Sequence, residues 1–125
     1  MLQNEFNKKN LRTLVIKFYT KVLADDLVGP FFIDKLGSDL SGAVWAPHLD
    51  TLTEFWASFT TNDSTYRGSP FAPHMQLAGL ERKTFEQWLV LFYETLDSIY
   101  EPQISNLLKD RSTQIAGNFM RNLQI

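Results

Sequence analysis

The chain has 125 residues, 44 % of them hydrophobic, a net charge of −2 and no cysteine. That is enough for one domain with a real core and too little for two, and it excludes a disordered tail. Charge is spread along the chain, which argues against a nucleic-acid partner, and the missing cysteines exclude disulfides, thiolate metal sites, thioether-linked cofactors and a cysteine nucleophile.

The N-terminus, MLQNEFNKKN, has no apolar run of signal-peptide type. No stretch approaches bilayer-spanning length. The expectation is a soluble cytoplasmic protein with no membrane partner, a single domain over 1–125, with residues 1–9 as an extension that has room for a short helix. The aromatic content is high, with ten Phe, four Tyr and three Trp. Such rings fill a small core, or they line a flat apolar ligand.

From Asn10 the apolar residues Leu11, Leu14, Val15, Phe18, Val22 and Leu23 follow helical spacing, with Asn10 as N-cap and Gly29-Pro30 as the stop. FFIDKLG reads as one short helical turn closed by Gly37. Trp45, His48, Leu49, Leu52, Phe55, Trp56 and Phe59 then form the strongest helical stripe in the chain. Pro47 fits a first turn and disrupts an interior, so this helix starts near Pro47 or kinks on its way from about Ser41. TTNDSTYRGSP has loop composition. SPFAPHMQLAGL supplies at most a short helix, with Pro73 early in it. Thr84 begins a capping box with Gln87, and Phe85, Trp88, Leu89, Phe92, Leu96 and Ile99 make the next helical face. Pro102 opens a last helix through Ile104, Leu107, Leu108, Ile115, Phe119 and Leu123. The pattern is all-α, with four main helices. The stretch from Thr60 to Lys83 holds no strong helix, and a long irregular link in a compact domain is usually functional.

That link carries His74, among Phe71, Pro73, Met75, Leu77 and Leu80. His48 faces inward on the Trp45 stripe. Either is explained as a neutral core histidine bonded to a backbone carbonyl. Either can also be a metal ligand, since a neutral imidazole suits iron, zinc or copper. Two histidines are too few for an ordinary zinc site, and Asp50 and Glu54 lie off the stripe. Haem needs one protein ligand and apolar, aromatic walls, which this chain has in excess. Tyr19 and Trp88 are polar-tipped rings that can face the same space. Each is also explained as a core ring with a local acceptor.

Four motifs in register, FYTKVLADDLVGPFF, WAPHLDTLTEFWAS, YRGSPFAPHMQL and FEQWLVLFYETL, make Leu11 to Leu123 resemble a group III truncated haemoglobin. The resemblance implies a truncated globin, a two-over-two helical sandwich around haem b (iron protoporphyrin IX). It implies that His74 is the proximal iron ligand, Tyr19 the distal tyrosine, Trp88 the tryptophan of groups II and III, and His48 the distal histidine, with a gating role. Phe32 matches the phenylalanine packed on the haem, with Phe31 as second choice. Leu52 would line the distal wall, Phe55 and Trp56 would pack nearby, and Met75 and Phe92 join the cofactor contacts. The paired-glycine motifs of groups I and II are absent, and Pro47 directly before His48 bears on how that ring enters the pocket. Arg67, Arg82 and Lys83 are candidates for the propionates.

The implied function is binding of O₂, NO and CO, with oxygen transport among the family's roles. Tyr19 O–H and Trp88 N–H are donors that would slow O₂ release. An enzyme, an NO dioxygenase or a peroxidase-like one, is the alternative, and it would need an external electron-donating reductase. A phosphotransfer or plain interaction domain without haem is the rival from another class. The apolar neighbours of His48 are the wrong surroundings for a phosphohistidine.

Overall fold

The computed structural model describes residues 1–61 and 79–125. Among these, five helices are formed: α1 (Lys8–Ala24), α2 (Gly29–Leu36), α3 (Trp45–Thr60), α4 (Arg82–Ile99) and α5 (Pro102–Leu123). His74, Met75, Arg67 and the loop and short-helix expectations for residues 62–78 lie outside the described residues. No helix among the described residues is long and apolar enough to cross a membrane.

Capping moves several boundaries from where the sequence pattern puts them. The first helix begins at Lys8, because Asn7 rather than Asn10 is the N-cap. Asn7 Oδ1 accepts from Asn10 N–H at 2.8 Å, and Asn10 Oδ1 accepts from Asn7 N–H at 3.0 Å, a reciprocal box that satisfies two orphan donors. It ends at Ala24, ahead of the expected Gly29-Pro30 stop. That dipeptide opens α2, a helix of 8 residues rather than one turn, closed by Gly37 at φ 81°. In α3 the first helical residue is Trp45, which leaves Pro47 in the first turn, where its missing N–H costs nothing. The N-cap of α4 is Glu81, not Thr84, and Glu81 N–H donates to Thr84 Oγ1 at 3.3 Å.

Gln87 therefore has another task. Its Nε2 donates to Asp25 Oδ2 at 2.8 Å, while Asp25 Oδ1 accepts the N–H groups of Leu27 and Val28, each at 2.9 Å. Burial pushes the Asp25 carboxyl up, but the donors of Val28, Gln87 and Leu27 outweigh it and hold the group below the ordinary carboxylate range. This carboxylate closes the α1–α2 corner and ties it to α4. The corner is tight: a Cβ on Gly29 would lie 2.6 Å from the Val22 carbonyl oxygen.

The layers follow from which faces are apolar. α1 packs against α2, α3 and α4, and α4 packs against α5. The pair α1/α3 thus lies over the pair α4/α5, the two-over-two arrangement. Leu11, Leu14, Val15, Phe18 and Val22 of α1 are buried against Leu49, Trp56, Phe92 and Leu96. Each such side chain contributes roughly 1.5–3 kcal/mol by leaving water. A smaller cluster of Phe85, Ala116 and Phe119 closes the far end of α4/α5. Leu107 and Phe59, expected on inner faces, are 59 % and 39 % exposed. Arg111 covers the Phe59 ring at 4.9 Å.

The segment before α1 docks on the α4–α5 junction. Gln3 N–H donates to the Ile99 carbonyl at 2.8 Å, and Glu101 N–H donates to the Gln3 carbonyl at 2.9 Å. Asn10 fastens the same region: its Nδ2 donates to the Glu5 carbonyl at 2.9 Å and its Oδ1 accepts from Tyr100 O–H at 2.7 Å. Asn10→Ala should lower unfolding free energy by about 2–3 kcal/mol in urea titrations, from the lost cap and the stranded Tyr100 hydroxyl. Tyr100→Phe should then cost less in that background than in the wild type. Equal costs in the two backgrounds would show that the hydroxyl bond contributes nothing.

Candidate functional site

Tyr19 is the meeting point of the chain's polar-tipped rings. It follows Phe18 on the inner face of α1 and is only 5 % exposed. Phe32 of α2 lies 5.2 Å from its ring centroid, Trp45 of α3 5.4 Å and His48 of α3 6.1 Å. Trp45 and His48 themselves meet edge to face at 5.3 Å, one helical turn apart. The Nε2 atom of His48 is buried. Burial pushes the Tyr19 phenol well above its ordinary pKa, and the Trp88 indole, a donor only, acts on the phenol oxygen to oppose that shift.

The second half of the site comes from α4. Trp88 meets Phe18 edge to face at 5.2 Å and stacks on Phe92 at 5.2 Å. Trp56 of α3 stacks on Phe92 as well, at 4.8 Å. These rings form a continuous wall from α1 across α3 to α4, the edge-to-face and offset geometry that aromatic quadrupoles favour.

The structure brings together Tyr19, Phe32, His48, Trp88 and Phe92 of the expected set. Leu52 is partly buried and packs on the same core. Phe31 does not join the Tyr19 group, and its ring edge lies instead beside Gly79, 3.9 Å from where a Cβ would stand. The acids judged to be off the stripe are engaged on the outer surface: Asp50 with Arg12, and Glu54 with Lys8 at 3.2 Å. Arg82 and Lys83 occupy the first turn of α4, both exposed. Trp45 was not expected in the site. Its signal was its place three residues before His48 on one stripe, which the pattern registers only as core.

No protein-family model matches the chain. It is 32 % identical over 117 residues to the group 3 truncated hemoglobin ctb of Campylobacter jejuni, covering 94 % of this chain and 91 % of that protein. The chain belongs to the group III truncated haemoglobins. The fold agrees: against the crystal structure of the group III truncated hemoglobin from Campylobacter jejuni the TM-score is 0.90 at 31 % identity, over 98 % of this chain and 95 % of that one. As a truncated haemoglobin it is a globin haem protein, which displaces the phosphotransfer and haem-free interaction readings. Its helical pairs are those of the truncated globin fold, and the ring cluster around Tyr19 lies where α1, α2, α3 and α4 converge.

The raised pKa has a definite sign. Neutral Tyr19 is favoured by the fold, so its contribution to stability is full below the unfolded-state value of about 10 and is lost as pH rises above it. Tyr19→Phe should therefore leave the near-ultraviolet phenolate absorbance of the folded protein unchanged up to about pH 11. A drop in that absorbance on substitution would mean that Tyr19 ionises normally and is open to water.

Proposed function

We propose that this truncated haemoglobin holds haem b through His74 and binds a polar diatomic gas under Tyr19, Trp88 and His48. The observation that carries the reading is the convergence on the buried Tyr19 phenol of an imidazole from α3 and an indole from α4. The described residues suit the group. Phe32, Leu52 and Phe92 offer apolar walls, Tyr19 offers a buried O–H donor, and the partly buried Trp88 offers an N–H donor. His74 and Met75 would complete the cofactor contacts from outside the described residues, and Phe31 from beside Gly79. Iron protoporphyrin IX, when bound, would supply the metal that takes up O₂, NO or CO.

What the chain's own residues do there follows from their chemistry. Tyr19 keeps its proton through neutral pH, so it acts as a hydrogen-bond donor and not as a charge. Trp88 can only donate. Two donors beside a ring-walled space favour a ligand that carries partial negative charge when bound, so O₂ is favoured over CO. Each donor is worth roughly 1–3 kcal/mol there. Such a pocket retains O₂ strongly, which suits binding and chemistry on the gas better than delivery. His48, with its ring against Trp45 and Tyr19, stands where it can admit or block a small molecule by rotating.

Reconstitution with hemin should give an intense Soret band, and His74→Gly should abolish the Fe–imidazole band in resonance Raman spectra. Persistence of that band would remove His74 from the iron. Trp88→Phe should release O₂ on the order of tenfold faster in stopped-flow measurements, the loss of one donor. An unchanged rate would take Trp88 out of the ligand site.

A further inference from the structure

We infer that Trp45 is the positioning residue of the ligand pocket. Its indole N–H, tethered to the Gly37 carbonyl, locks the ring against which Tyr19 and His48 are aimed. The inference rests on the reading of Tyr19 and His48 as ligand-side residues.

Trp45 is fully buried at the first position of α3. Its Nε1–H donates to the Gly37 backbone oxygen at 2.8 Å. The donor is thereby engaged by the chain, so Trp45 offers nothing directly to a ligand. What it offers is a fixed surface. An indole turns about two side-chain torsions, and a bond at Nε1 that leads out of the ring cluster removes that freedom. The held ring touches three others: His48 edge to face at 5.3 Å, Tyr19 tilted at 5.4 Å, and Phe32 stacked at 6.3 Å. His48 follows on the same helix, but Tyr19 comes from α1 and Phe32 from α2. The indole is thus the surface through which three helices agree on where the phenol and the imidazole point.

The acceptor is held just as firmly. Gly37 caps α2 at φ 81°, a left-handed conformation that side chains resist. A Cβ there would meet nothing within 4 Å. The glycine is therefore required for the direction of its backbone and not for space. That direction delivers the carbonyl to Trp45.

Trp45→Phe keeps a large apolar ring and deletes the tether. Gly37→Ala leaves Trp45 intact and strains the carbonyl that holds it. Both variants, loaded with haem, should retain Soret intensity. Both should broaden or split the CO stretching band of the ferrous CO complex and speed O₂ release roughly twofold to tenfold, the range of one aromatic contact. In haem-free ¹⁵N-indole-labelled protein, the Trp45 N–H should exchange slowly with solvent, and faster after Gly37→Ala. Tyr19→Phe serves as the reference. If it moves the CO band while Trp45→Phe leaves band position and width unchanged, the inference is overturned and the pocket reading stands. If Tyr19→Phe is silent as well, the pocket reading itself fails and takes the inference with it. Should Trp45→Phe not fold, Gly37→Ala decides: faster indole exchange with an unaltered CO band overturns the inference.

Discussion

One helix has to satisfy three neighbours at once. α1 presents Leu11, Leu14, Val15, Phe18 and Val22 to α2, α3 and α4, and all five are essentially removed from water. Because that face is occupied by apolar groups, the one phenol on it, Tyr19, is carried into the interior with them. Phe18 and Tyr19 are adjacent in sequence and their rings meet at 4.8 Å. They divide the work: Phe18 anchors the α4 rings Trp88 and Phe92, while Tyr19 receives Phe32, Trp45 and His48. A ring cluster drawn from four helices is thus organised by two consecutive residues of one of them, and a one-residue slip of α1 would turn the phenol away by about 100°.

The helical stripes were legible because each rests on local periodicity. Leu49, Phe55 and Trp56 are buried on α3, and Phe85, Phe92, Leu96 and Ile99 on α4, as their spacing requires. Helix starts were less legible, because Asn and Thr are equally good as N-cap and as the third helical residue of a reciprocal box. Asn7 and Asn10 are separated by the same interval as Glu81 and Thr84, and only the fold says which member stands outside. Gln87 shows the same limit from the other side. Its partner, Asp25, lies 62 positions away at the α1–α2 corner, and no local pattern contains that pairing.

In the ring cluster, helical faces already allowed Tyr19, Trp88 and an inward histidine to share one space without excluding plain core packing, and Phe32 was added only by the resemblance carried by four motifs. Trp45 escaped because its role depends on a backbone carbonyl. Side-chain patterns carry no record of where a main-chain oxygen points. The same reason separates Phe31 from Phe32: they are neighbours on α2, and successive helical positions diverge by about 100°, so only Phe32 reaches Tyr19.

The contact at Gly29 has a mechanical meaning. With its Cα lying so close to the Val22 carbonyl that not even a methyl group fits, and with Asp25 clamping Leu27, Val28 and Gln87, α1 and α2 form a stiff elbow. Phe32 and Tyr19, one on each arm, therefore travel as a single rigid body. The distance between the two rings, 5.2 Å between centroids, is thereby set by the elbow and not by the loop that follows α2.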